Sequence, residues 1–139
     1  MLKHIPKSFT PELLKLLMEM GHGEEILIAD GNFPQKSMNL KQESIYIPVC
    51  DISALLKDIL HFFPLDNSVE FAARAMESVK EGPRYGEYAQ LIEENSSRLE
   101  LVERFKFYDL VKKAAGIIVT ADDTKGANIL IKKGVVRDI

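Results

Sequence analysis

A chain of 139 residues that is 46% apolar can bury one hydrophobic core, so a single domain spanning residues 1–139 is expected. A net charge of -3, with Lys and Arg scattered, leaves no basic footprint for nucleic acid, and no apolar run approaches the length that spans a membrane. Cys50 is the only cysteine, which excludes an intramolecular disulfide or a thiolate metal cluster and suits a reducing cytoplasm.

Thr10 suits a helix N-cap and Pro11 the first helical position. Leu13, Leu14, Leu17, Met18 and Met20 form an apolar face that ends at Gly21. The run Ile26-Leu27-Ile28-Ala29 does not alternate and reads as a strand buried on both faces. His22 precedes this strand and Asp30 ends it. In open α/β sheets ligands bind beyond the carboxyl ends of strands, so the stretch Met20–Pro34 is the candidate active site.

The polar segment Gly31–Glu43 reads as a long loop over that site, and Ser44–Val49 as a short strand. Asp51 can cap a helix whose Ile52, Leu55, Leu56, Ile59, Leu60 and Phe63 recur at three-and-four spacing until Pro64, with His61 off the stripe and on the surface. Val69–Glu77 supports two readings. Its alanines favour helix, while Val69, Phe71, Ala73 and Ala75 alternate as a strand would.

After the break at Glu81-Gly82-Pro83, a polar helix is expected from about Gly86 to Arg98, with Glu87, Glu93 and Glu94 on a solvated face. Leu99–Val102 can form a strand, Arg104–Ala115 a helix, Gly116–Thr120 a strand, and Asn128–Lys132 another beyond the loop Ala121–Ala127. Strands and helices alternate throughout. This order predicts an α/β three-layer sandwich with a mainly parallel or mixed central sheet and helices on both faces. No Gly-rich phosphate loop, zinc-binding helix motif or nucleophile-elbow serine occurs, and His4, His22 and His61 are too dispersed for a metal motif.

Three blocks in order carry a resemblance over essentially the whole chain. They are Glu19–Glu25 with Ile28–Pro34, then Arg104-Phe105-Lys106-Phe107-Tyr108, then Asn128–Val135. Together they resemble the sugar mutarotase family that holds L-fucose mutarotase and D-ribose pyranase, and Met1-Leu2-Lys3, Pro11–Lys15 and Ser37-Met38 look closer to the fucose branch. The resemblance implies a ribose-pyranase-like fold and an isomerase acting on L-fucose or a related deoxy sugar. It implies His22 as the acid, sugar contacts at Asp30, Arg104, Gly126, Ala127 and Asn128, no metal and no organic cofactor. It also implies a homodecameric ring with sites near subunit boundaries. Two alternatives remain beside it: a pyranase interchanging pyranose and furanose forms of D-ribose, and a catalytically weak sugar-binding protein.

One residue departs from the family pattern. The family carries a tyrosine two residues before the asparagine, where this chain has Gly126, and sequence alone nominates none of Tyr46, Tyr85 or Tyr108 in its place. Without a side chain, position 126 should leave the pocket wider and wetter. Restoring a tyrosine should raise the rate, provided the backbone there has negative φ.

Anomer interconversion opens and recloses a cyclic hemiacetal, which requires only proton transfers. Imidazole can give and recover a proton near neutral pH, a carboxylate accepts from sugar hydroxyls, and Arg and Asn donate to sugar oxygens.

Overall fold

The computed structural model describes residues 1–137. The first helix, α1 (Pro11–Glu19), starts where Thr10 Oγ1 accepts from Leu13 N at 3.2 Å, and it buries Leu13 and Leu17. β1 (Glu25–Ala29) follows, then a loop with a single 3-10 turn over Lys36–Met38, then β2 (Ser44–Tyr46). Gln42 Nε2 ties that loop down by donating to Ala114 O at 2.7 Å. The second helix, α2 (Ile52–Leu60), is capped by Asp51, whose Oδ1 accepts from Ala54 N at 3.2 Å. His61 follows it on the surface, as expected.

The remaining elements are β3 (Ala73–Met76), a 3-10 segment Glu77–Glu81, α3 (Arg84–Glu94), β4 (Leu99–Val102), α4 (Arg104–Val111), β5 (Gly116–Val119) and β6 (Ile129–Lys132). The strand reading therefore prevails at Ala73–Met76. That segment is hydrogen-bonded to β6 on one side and β4 on the other, and such pairing overrides the helix preference of alanine.

The polar helix is displaced toward the N-terminus from the expected 86–98. At its C-terminal end, Asn95 Nδ2 donates back to Leu91 O at 2.7 Å and Ser96 takes a φ of 63°, which stops it. Ser97 Oγ then accepts from Ala72 N at 3.0 Å. Glu87 is also more than a solvated residue, since it accepts from Ser53 Oγ at 2.8 Å and from Arg84 Nη1 at 2.9 Å.

One six-stranded sheet runs in the order β2-β5-β1-β6-β3-β4. β1, β5 and β2 are mutually parallel, β3 and β4 likewise, and β6 is antiparallel to both β1 and β3. The sheet is thus mixed, with only β6 reversed.

Ile26 and Ile28 of β1 join the core formed with α1, α2 and α3, while Leu27 and Ala29 join the core under α4. The absence of alternation in that strand follows from helices lying on both faces of the sheet.

Candidate functional site

The antiparallel register of β1 and β6 pairs Ile28 with Ile129, so the chain leaving β1 meets the chain entering β6. Asp30 and Asn128 become neighbours there, 98 residues apart in sequence. Asp30 N donates to Asn128 Oδ1 at 2.8 Å, and Asn128 Nδ2 donates to Asp30 Oδ2 at 3.1 Å. Asn32 N adds a bond to Asp30 Oδ1 at 2.9 Å. Both side chains are nearly closed to solvent, at 6% for Asp30 and 2% for Asn128. Burial raises the Asp30 carboxyl above the usual range. The bonds from Asn32 and Asn128 pull it back, the nearby Asp122 carboxylate pushes it up again, and the net direction is upward.

The pair lies in a pocket of about 280 Å³. Phe33, Pro34 and Met76 supply apolar wall, Tyr108 a phenol and Lys125 a cation. Tyr108 meets Phe33 edge to face, with centroids 5.7 Å apart. It stands four residues after Arg104 in the Arg-Phe-x-Phe-Tyr segment, one helical turn inward, which is the only signal sequence offered for it.

Gly126 also lines the pocket, but not as an open gap. Its φ is +65°, and a Cβ there would overlap Ser78 Oγ and come within 3.0 Å of Val79 N in the 3-10 segment. The condition of negative φ is not met. The wider pocket expected there is also absent on that side, because the loop backbone has closed against Ser78 and Val79. Ala127 is fully buried, and its carbonyl accepts from Tyr88 Oη at 2.6 Å.

His22 does not join this group within one chain. It precedes β1 while Asp30 follows it, and five strand residues separate the two ends by about 17 Å at the usual rise. The His22 side chain is about half exposed, with Nε2 3.0 Å from Asp66 Oδ1. Asp66 also accepts from Ser68 N at 3.0 Å and Ser68 Oγ at 2.7 Å. Burial alone would push the Asp66 carboxyl up, but the hydrogen bonds from Ser68 and His22 outweigh it and hold it down to about 2. An ionised Asp66 only accepts, so His22 Nε2 carries the proton toward it and Nδ1 takes no part in that bond. The dyad opens into a hollow of about 510 Å³ bordered by Pro64, Leu65, Val135 and Val136.

Arg104 begins α4 at the same end of the sheet as Asp30, beyond β4. Its side chain is exposed, its guanidinium carbon lies 4.7 Å from the Phe105 ring centroid, and it does not line the Asp30 pocket. Behind the pocket, Asp122 is fully buried and accepts from Ile52 N, Thr124 N and Arg84 Nε. Asp66, Lys125, Arg84 and Asp122 carry no local sequence pattern that marks them. Among the described residues no cluster of three His, Cys, Asp or Glu could hold a metal ion.

Comparison with known proteins gives a consistent result. The model of the RbsD / FucU transport protein family matches residues 3–136. The chain is 38% identical over 150 residues to a fucose mutarotase of Danio rerio, covering 97% of this chain and 94% of that protein. It is 37% identical over 142 residues to an L-fucose mutarotase of Actinobacillus pleuropneumoniae, covering 97% of both. A crystal structure of the fucose mutarotase from Streptococcus pneumoniae in complex with L-fucose aligns at TM-score 0.87 and 40% identity, over 98% of this chain and 100% of that one. Bacillus subtilis RbsD complexed with D-ribose aligns at TM-score 0.79 over 99% of this chain and 100% of that one, but at 21% identity it speaks for the fold alone.

Proposed function

The chain belongs to the RbsD / FucU transport protein family, and from that premise we infer that it is an isomerase, a mutarotase that interconverts the α and β anomers of L-fucose. The carrying observation is the nearly end-to-end similarity to fucose mutarotases, one of them in complex with L-fucose. The Asp30 pocket is compatible with that reading. The Asp30 carboxyl accepts from Asn32 and Asn128 and is also drawn on by the Ala127 amide, and with roughly four lone-pair sites on a carboxylate it keeps capacity for a sugar hydroxyl. Phe33, Pro34 and Met76 suit the apolar face of a deoxy sugar.

In the reaction the ring oxygen gains a proton, the bond from it to the anomeric carbon breaks, and the anomeric hydroxyl loses its proton. The resulting aldehyde turns about its bond to the next carbon and recloses on the opposite face. His22 is the proton donor in this proposal, held by Asp66 through Nε2 so that Nδ1 faces the sugar. Tyr108 is the second hydroxyl, reaching the same pocket from α4. Asn128 fixes Asp30 and Gly126 contributes backbone, while Ala127, fully buried with its carbonyl taken by Tyr88, supports the loop and does not touch the sugar. Arg104 reaches the sugar only by swinging off Phe105.

Because β1 separates His22 from Asp30, each site is composite: Asp30, Asn128 and Tyr108 come from one subunit and the His22–Asp66 dyad from its neighbour. Val135 and Val136, exposed beside His22, give that neighbour an apolar surface to cover. A ring-shaped homodecamer in the cytoplasm is the assembly we assign. The D-ribose reading draws only on the likeness in fold.

Saturation-transfer NMR of equilibrated L-fucose is the test. Accelerated exchange between the two pyranose anomers at catalytic protein concentration is expected. Line broadening without exchange would replace the enzyme by a sugar-binding protein.

A further inference from the structure

α3 supplies no wall of the Asp30 pocket, yet two of its side chains hold the loop that does. Arg84 and Tyr88 stand four residues apart and therefore share one face of the helix. Arg84 Nε donates to Asp122 Oδ2 at 3.1 Å, with Nη2 3.0 Å from the same oxygen. Tyr88, with no exposed surface, donates its hydroxyl to Ala127 O at 2.6 Å. Burial drives the Tyr88 phenol far above its ordinary pKa, so it stays a donor. The two anchors grip the first and last residues of the 122–127 segment, and Asn128 follows directly. Between them Gly126 sits at φ +65°, with no side chain of its own to brace the turn.

We propose that Arg84 and Tyr88 are positioning residues which clamp both ends of the 122–127 loop from one face of α3 and so hold the Asn128 amide against Asp30. The Asp122 end also reaches the other strand of the site, since Asp122 O accepts from Gly31 N at 2.8 Å. One clamp thus sets both partners of the Asp30–Asn128 pair. Loosening it divides the subunits between competent and displaced loops. Sugar binds only the competent fraction, so KM rises while kcat stays, because occupied sites are unchanged.

The test uses the full-length oligomer and two readouts, of which only the second rests on the mutarotase reading. Asp30 N donates to Asn128 Oδ1, so its hydrogen exchange reports the pairing without any sugar. In Tyr88→Phe the Asp30 amide should exchange at least about fortyfold faster than in wild type, as a loop mostly displaced requires, with Ile26 and Ile28 unchanged. Equal protection of Asp30, or a uniform loss along β1, overturns the clamp.

With L-fucose, Tyr88→Phe should raise KM about fivefold to tenfold and leave kcat within about twofold. A lower melting temperature with wild-type KM would mark Tyr88 as a packing residue only and overturn the proposal. Arg84→Gln should repeat the effect. Arg84→Lys, which offers one nitrogen in place of a fork, should rescue part of it. If the Arg84 variants do not fold, Tyr88→Phe decides alone. Should wild-type protein fail to exchange fucose anomers, the mutarotase reading falls and the exchange of the Asp30 amide still decides the clamp.

Discussion

Gly126 is the one residue at which the candidate site departs from the family pattern, and Tyr108 is the phenol that lines the same pocket. Gly126 occupies a left-handed turn against Ser78 and Val79, so its lack of a side chain is required by the local backbone. Gly126→Tyr is therefore expected to lose stability by at least 1–3 kcal/mol, the usual cost of a non-glycine side chain held in sparsely populated backbone space, and to gain no activity. Urea melts and NMR exchange rates of the folded fraction check this, and a stable variant with a raised rate would contradict it. Tyr108 is the phenol that remains. Tyr108→Phe keeps the edge-to-face contact with Phe33 and removes only the hydroxyl, so the fold should persist while the anomer exchange rate falls by about 10²-fold, the lower end for acid–base groups. A rate within threefold of wild type at saturating L-fucose would remove Tyr108 from the chemistry.

At the scale of elements, the site is made where β1 ends, β6 begins and the loop after β5 packs against the N-termini of α2 and α3. Asp122 joins these parts, bonding Ile52 N of α2 at 2.9 Å, Thr124 N in its own loop at 2.9 Å and Arg84 of α3. It lies fully buried and ionised. Burial alone would raise its pKa, but the bonds from Ile52 and Thr124 and the Arg84 charge outweigh that and lower it. Asp122→Ala strips a buried pair of one partner and is expected to cost about 3 kcal/mol, the low end of the range because Arg84 keeps Asp51 and Glu87. Equilibrium unfolding in urea measures the cost, and a loss below about 1 kcal/mol would show the cluster to be ornamental to stability.

For the whole molecule, the proposed division of the site between subunits makes a prediction no single-chain site shares. His22→Ala and Asp30→Asn should each be inactive as pure oligomers. Dissociated, mixed in equal amounts and reassembled, they should recover about a quarter of wild-type activity, since random assembly joins an intact His22 to an intact Asp30 in that share of interfaces. No recovery in verified mixed oligomers would place both residues in one chain's site. Stability against pH tests the His22–Asp66 dyad. Asp66 titrates at about 2 when folded and near 3.8 when unfolded, so its contribution is present above about pH 4 and is lost as pH falls through 2. The shift corresponds to about 2 kcal/mol. Asp30, whose folded pKa is raised, acts in the opposite direction, so the informative quantity is the difference between wild type and Asp66→Asn across pH 2 to 5. A constant difference over that range would contradict the lowered carboxyl.

Local pattern alone was sufficient for much of the fold. The caps at Thr10 and Asp51, the stripe of α2 and the unbroken apolar strands β1, β5 and β6 are short-range features whose physics lies within a few residues. The blocks around Asp30, Arg104 and Asn128 carried the family, because three separated blocks in the right order are far more specific than any one of them. Tertiary structure decided what depends on distant partners. β3 became a strand because β6 and β4 lie on either side of it, and Asp30 met Asn128 because β6 enters antiparallel to β1. The left-handed turn at Gly126, the phenol of Tyr108 in the pocket and the grip of Arg84 on Asp122 likewise arise from segments far apart in the chain. His22 and Asp30 lie eight residues apart in sequence yet face opposite ends of the sheet, because an extended strand between them advances about 3.3 Å per residue in one direction.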